Sequence, residues 1–240
     1  MDTPGHTAAI AFVCAMPMEL QPLVKKLALR KSVFGGVVVR SGSVDGRDIV
    51  AIVTGMGTKR ATQGVEQLLD AVSVERVVVV GITGAVDNVT PIGTLVVPEV
   101  VVDSATGTEY RPHALGEHPP HGVMWTTDEL LTAPDVLRVL RDRGVVSLDM
   151  ETAAIAASCE TRAIPWSVFR VISDRASGGS VDSEVFHLSN QDGTPNPRAI
   201  VRYFLTHPAR IPTMARLAKG VRLATHAAAD AAIAACRRVP

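Results

Sequence analysis

Val and Ile concentrate in short apolar runs along the chain, and mixed segments fall between them. The runs are "AAIAFVCA" (8–15), "GVVVRSGSV" (36–44), "DIVAIVTG" (48–55), "RVVVVG" (76–81), "GTLVVPEVVVD" (93–103), "GVMWT" (122–126) and "WSVFRVIS" (166–173). Runs this short and this apolar read as central strands covered on both faces. Helix-like segments lie between them at 18–29, 59–71, 133–143 and 150–160, and two more follow at 197–206 and 211–235. This alternation predicts an α/β fold, with helices on both sides of a largely parallel or mixed sheet. No repeat or low-complexity linker divides the chain, so one domain over 1–240 is expected. Its C-terminal helices lie at about 197–235, and the Ala-rich last one, with Arg and Lys on it, reads better as packing on that domain or on a partner subunit than as a membrane-surface helix. Two stretches are irregular: 107–122 has proline and histidine without periodicity, and 175–197 has the Gly, Ser, Asn and Pro content of a mobile loop.

Composition narrows the function classes. The chain is 47% hydrophobic and 20% charged, which supports a sizeable core and argues against disorder. Lys+Arg and Asp+Glu are both 24, so a broad nucleic-acid-binding surface is not expected. The three cysteines, Cys14, Cys159 and Cys236, form neither a CxxC pair nor a zinc spacing. That fits a reduced, cytoplasmic location. The opening "MDTPGHTAAIAFVCAMPMEL" has no basic leader, and its apolar run stops at Pro17 and Glu19, so neither a signal peptide nor a membrane span is expected there. The histidines of "HALGEHPPH" lack a ligand geometry, and no metal site is expected.

Ligands of open α/β sheets sit at the carboxyl ends of strands. The informative residues follow the runs: "AMPMEL", "TGMGTKRA", "GITGAVD", "TTDELL" and "SDRASGG". The glycines of "GITGAVD", Gly81 and Gly84, flank Thr83 and would let backbone approach a ligand closely. "TGMGTKRA" puts two glycines before a helix, where N–H groups can face a polar ligand. It has neither the P-loop spacing nor a full GxGxxG, which weighs against an NTPase or dinucleotide enzyme. "FRVISDRA" sets Arg170, Ser173 and Asp174 at or just past a buried strand. Asp174 reads either as a turn or cap residue or as a partly desolvated acid able to donate a proton. Glu19 reads either as an acid favoured in a first helical turn or as a site residue. "SLDMETAAIA" presents Asp149 and Glu151 around Met150, and the same two readings apply.

Taken together, "AMPMEL", "GMGTKRA", "GITGAVD", "LDMETAAIA" and "FRVISD" resemble, in order and spacing, the nucleoside phosphorylase/nucleosidase superfamily. The methylthioadenosine/S-adenosylhomocysteine nucleosidases are the nearest branch. The resemblance covers most of residues 8–190. It implies a three-layer α/β/α fold with a central mixed, partly barrel-like sheet, and a homo-oligomer, most simply a dimer. It also implies a small-molecule purine nucleoside as substrate and no metal or cofactor. Carried onto this chain, Glu151 would accept the ribose hydroxyls and Met150 would pack against the sugar. Asp174 would protonate the purine at N7, and Glu19 would orient or deprotonate the attacking water. Arg170 and Ser173 would support the carboxylates, with Gly81, Thr83 and Gly84 beside the ligand. Breaking an N-glycosidic bond builds positive charge on the ribose and negative charge on the base, so an acid at the base and a carboxylate near the sugar suit it.

The superfamily divides by nucleophile. Its phosphorylases hold phosphate with arginines in the early glycine loop and just before the central glycine motif. Here the early loop reads "AMPMELQP", and Val77 to Val80 precede Gly81. A dianion without arginines would be poorly held. A hydrolase is therefore expected, with a phosphorylase or a non-catalytic nucleoside-binding protein as alternatives. Arg40, Arg47, Lys59 and Arg60 remain as phosphate ligands to be placed. Ile82 stands where the family carries Ser or Thr, and Leu130 where the nucleosidases stack an aromatic on adenine. Leu130 and Trp125 would then supply an apolar wall. The short 110–122 stretch and the tail "RYFLTHPARIPTMARLAKG" resemble the hopanoid-associated branch acting on adenosylhopane, which implies a bulky apolar 5′ group.

Overall fold

A computed structural model describes residues 8–176, 188, 190, 194 and 196–237. The expected loop at 175–197 lies almost wholly outside the described residues. In chain order the elements are β1 (Ala9–Cys14), α1 (Pro17–Lys26), β2 (Arg30–Phe34), β3 (Val37–Val44), β4 (Arg47–Val53) and α2 (Thr58–Ala71). Then come β5 (Val74–Ala85), β6 (Leu95–Val96), β7 (Val100–Asp103), β8 (Glu109–Tyr110), β9 (Val123–Thr126) and α3 (Pro134–Asp142). The chain continues through β10 (Val145–Asp149), α4 (Thr152–Thr161), β11 (Trp166–Arg175), α5 (Pro197–Thr206), a 3-10 turn (Pro208–Arg210) and α6 (Ile211–Cys236).

The strands form one 11-stranded mixed sheet in the order β2-β3-β4-β1-β5-β10-β9-β7-β8, with β11 pairing β5 and β6 off that path. β5 is the branch point. It pairs β1 in parallel through Val79, β11 in parallel from Val77 to Ala85, and β10 in antiparallel at Gly84 and Ala85. A long strand with different partners along its length gives the sheet its partly barrel-like curl.

β1 is apolar at every position, and each parity serves its own layer. Ala9, Ala11 and Val13 join Val65, Leu68, Ile155 and Cys159 under α2 and α4. Ile10, Phe12 and Cys14 join Leu23, Ala228, Ala232 and Ile233 under α1 and α6. Successive strand side chains point to opposite faces, so a strand covered twice must be apolar throughout. The result is the three-layer α/β/α arrangement. Small residues on α4 and on the second half of α6 let those helices lie close to the sheet.

Several boundaries differ from expectation. α1 stops at Lys26 rather than 29, because Ala28 turns the chain at φ 49° into β2, a strand whose mostly exposed pattern gave no apolar run. The 93–103 run splits around Pro98, which cannot donate to a ladder. β5 runs on through Gly81 to Ala85, where a strand-to-loop turn was expected, because β11 pairs with it to the end. β10 was not anticipated. α4 starts at Thr152, so Met150 and Glu151 precede the helix rather than open it.

Candidate active site

Strand ends and helix starts meet at one point, and Arg170 is at its centre. It is a β11 residue opposite Gly81 and only 2% exposed. One guanidinium nitrogen, Nη1, donates to the Ile82 carbonyl at 2.9 Å and faces Glu19 Oε1 at 3.7 Å. The other, Nη2, reaches Asp149 Oδ2 at 2.8 Å, Glu151 Oε2 at 3.1 Å and Thr152 Oγ1 at 3.3 Å. One buried cation therefore faces three buried acids. These carboxylates hold its pKa above the usual arginine value despite the opposing effect of burial.

Each acid is fixed by its own element. Glu19 sits at the third position of α1, where Oε2 accepts from the backbone N–H of Ala15 (2.8 Å) and Met16 (2.9 Å). That is the helix-start geometry of a capping box. Its other oxygen accepts from Ile82 N–H at 2.8 Å. The cap reading and the site reading of Glu19 thus describe one geometry. Burial raises its pKa, against the lowering effect of Arg170 and these N–H groups.

Glu151 is 4% exposed and accepts from Gly57 N–H at 3.0 Å. Gly57 caps α2 at φ 92°, a conformation side chains rarely adopt, which explains a glycine there. Burial pushes the Glu151 pKa up to about 7, with Arg170 opposing and Asp149 and Glu19 adding to the rise. Asp149 caps α4: Oδ2 accepts from Thr152 N–H (2.9 Å) and Oγ1 (2.5 Å). Its Oδ1 accepts from Thr126 Oγ1 at 2.6 Å. The cap expected of Asp149 is present, and so is an Arg170 contact that the sequence did not disclose.

Asp174 lies four residues beyond Arg170 on β11. Ser173 Oγ donates to its Oδ1 at 2.5 Å, and burial raises its pKa against that bond. Its Oδ2 passes 3.5 Å from where a Cβ on Gly84 would stand.

Glu19, Glu151, Asp174 and Arg170 line one cavity of about 260 Å³. So do Met150, Ser173, Thr83, Gly84 and Leu130. The Thr83 hydroxyl donates to Leu148 O at 2.7 Å, so its proton is already engaged. Gly81 is the exception among the expected ligand neighbours, since it is not in the cavity wall. A Cβ there would lie 2.2 Å from Glu19 Oε1 and 3.1 Å from Arg170 Nη1. Gly81 makes room for the Glu19 carboxylate rather than for a ligand. Trp125 is not in the wall either.

Met16, Met56, Leu131, Leu217 and Val221 complete the apolar wall. Met16 and Met56 lie inside the quoted motifs. Leu217 and Val221 are on α6, and nothing local in the sequence marks them. Arg40, Arg47, Lys59 and Arg60 are absent from the wall, and Arg47 pairs with Glu75 at 3.4 Å instead. Among the described residues no group of three or more His, Cys, Asp or Glu is placed to hold a metal ion.

A family model described as "Phosphorylase superfamily" matches residues 9–133 and 113–206. The 5′-methylthioadenosine/S-adenosylhomocysteine nucleosidase of Shewanella denitrificans is 26% identical over 202 residues, covering 71% of this chain and 88% of its own. Among solved structures, the S-adenosylhomocysteine nucleosidase of Streptococcus pyogenes, in complex with 5-methylthiotubericidin, superposes with TM-score 0.73 at 18% identity. That match covers 99% of this chain and 100% of the other. The futalosine hydrolase of Helicobacter pylori gives TM-score 0.72 at 15% identity, over 97% and 98%.

Proposed function

The chain belongs to the phosphorylase superfamily, and from that premise we propose that it is a purine nucleosidase. It hydrolyses the N-glycosidic bond of an adenosine-type nucleoside modified at the 5′ position. The substrate class is taken from the relatives, which are named for 5′-methylthioadenosine, S-adenosylhomocysteine and futalosine. The observation that carries the reading is the convergence of Glu19, Glu151 and Asp174 on one largely apolar cavity.

The division of labour follows from geometry and proton affinity. Asp174, with a raised pKa, gives a proton to the purine at N7. The C1′–N9 bond breaks, and its electron pair leaves with the base. Oxocarbenium character at C1′ is met by the Glu151 carboxylate, which also accepts the ribose hydroxyls, and Met150 packs against the sugar. Water adds its oxygen to C1′ and passes a proton to Glu19. A carboxylate with raised proton affinity is a better base near neutral pH than a solvated one. Arg170 keeps the Glu19 and Glu151 carboxylates oriented and partly neutralised. Glycosidases divide an acid and a base between two carboxyl groups in the same way.

Water is favoured over phosphate as nucleophile because Arg170 is the only Lys or Arg in the described cavity wall, and its two terminal nitrogens are engaged by carboxylates and the Ile82 carbonyl. Residues 177–196 contain no Lys or Arg. Supporting a cytoplasmic protein are three free, buried cysteines. No helix among the described residues is long and apolar enough to cross a membrane. We take 1–240 as one domain that works as a homodimer.

The test is release of adenine from a panel of 5′-modified adenosines with and without phosphate, with the sugar product identified. Free sugar in both conditions is expected. A sugar 1-phosphate makes the chain a phosphorylase, and tight nucleoside binding without adenine release makes it a binding protein.

A further inference from the structure

Charge is unevenly distributed along this electroneutral chain. Residues 197–229 carry Arg198, Arg202, Arg210, Arg216, Lys219 and Arg222, and not one Asp or Glu. All but Arg210 are exposed. At 100° per residue, Arg216, Lys219 and Arg222 share one face of α6 with Leu223, and Ile211 lies at its margin. Leu223 is 55% exposed and Ile211 49%; on the preceding α5, Leu205 is 79% exposed. The opposite face of α6 carries Leu217 and Val221, in the wall of the catalytic cavity. One helix thus offers a basic, leucine-bearing face outward and an apolar face to the site.

We propose that the outer face of α5 and α6 docks this protein reversibly on an anionic lipid bilayer. Cations interleaved with exposed leucine and isoleucine are the signature of a helix lying in the headgroup region. Anionic headgroups complement the five exposed cations, and the aliphatic side chains enter the acyl boundary. Nucleic acid is the less suitable polyanion, since exposed Leu205, Ile211 and Leu223 find nothing to pack on along a phosphate backbone. Docking in this orientation sets the wall of the catalytic cavity within about one helix diameter, roughly 10 Å, of the lipid. The proposal is independent of the reaction assigned above.

Co-sedimentation of the full chain with vesicles tests it. Binding is expected to phosphatidylcholine mixed with phosphatidylglycerol, not to phosphatidylcholine alone, and it should fall as salt rises. The Arg216→Glu/Lys219→Glu/Arg222→Glu variant should lose at least a hundredfold in partitioning, since each surface cation contributes roughly fivefold. Leu223→Ser should lose less. A thermal melt close to that of the parent chain confirms that the exposed substitutions leave the fold intact. Absence of binding to phosphatidylglycerol vesicles by the unaltered chain overturns the proposal, and so does binding insensitive to salt. Two further outcomes would also overturn it: a triple variant that changes oligomeric mass rather than partitioning makes this face a contact between copies, and tighter binding to duplex DNA than to vesicles makes it a nucleic-acid site.

Discussion

The two ends of the catalytic cavity are built differently. At the end proposed for ribose and water, Glu19 and Glu151 accept from backbone N–H groups, and Arg170 ties both to Asp149. At the end proposed for the base, Asp174 has one side-chain partner, Ser173, and Leu130, which is 42% exposed, lines the same cavity. The first end is held by backbone N–H groups on Glu19 and Glu151 and by the ion pairs of Arg170. The second is apolar and open, so the proton affinity of Asp174 is set by burial with little counterweight. The proposed reaction asks for preorganised charge at one end and an acid of raised proton affinity at the other, and β11 carries Arg170 and Asp174 four residues apart.

The largest break in this contrast is expected at the first end. Arg170→Met leaves three buried acids facing one another without a cation. Removing one partner of a buried ion pair costs about 3–5 kcal/mol, so urea denaturation should show a marginal or unfolded chain, and no adenine release. Asp174→Asn, at the open end, should lower kcat by about 10²–10⁴-fold, with a denaturation midpoint near that of the parent chain. Comparable stability losses in both variants would erase the distinction between the ends.

Gly81→Ala sharpens the comparison by pressing a methyl onto the Glu19 carboxylate. Overpacking of this kind costs about 1–3 kcal/mol, and kcat should fall more than KM rises, because the role proposed for Glu19 is on water rather than on binding. Proton linkage separates the ends further. Glu151 has a folded pKa of about 7 against an ordinary 4.5. The folded state therefore binds more protons than the unfolded one between these values, and stability falls as pH rises through that window. The loss is essentially complete about one unit above the folded pKa. Glu151→Gln should flatten that slope in urea titrations at pH 5 and pH 7.5, and an unchanged slope would refute the assignment.

The smallest effect is expected where the ends are clipped together. Asp128, in the loop that bears Leu130, accepts from Thr58 N–H at 2.8 Å and from Thr58 Oγ1 at 2.5 Å at the start of α2. Asp128→Ala should cost about 1 kcal/mol as a lost cap. KM should rise with little change in kcat, as the base wall and the Gly57 N–H lose their common anchor.

Much of this was legible in the chain. Strands covered on both faces are apolar over their buried length, so β1, Ile49–Val53 of β4, Val77–Val80 of β5 and much of β11 announced themselves as runs. β2, β8 and β10 did not. β2 and β8 are short or mostly exposed, and β10 ends in the acid that caps α4. Glu19, Glu151 and Asp174 were legible because their motifs keep family order and spacing. Their neighbours were less so, since Asp149 has the same local signature whether it caps a helix, binds Arg170 or does both.

The sequence by itself determined the α/β alternation, the apolar layers and the three acids of the candidate site, because local periodicity and motif spacing are written along the chain. Tertiary structure alone decided what Gly81 is for, which cation the acids share, and that Leu217 and Val221 close the cavity. Each of those depends on separate segments being brought together by the pairing of β5 with β11 and by the packing of α6 on the sheet. The energy of a buried charge is set by whatever stands within a few ångströms, and spacing along the chain does not carry that information.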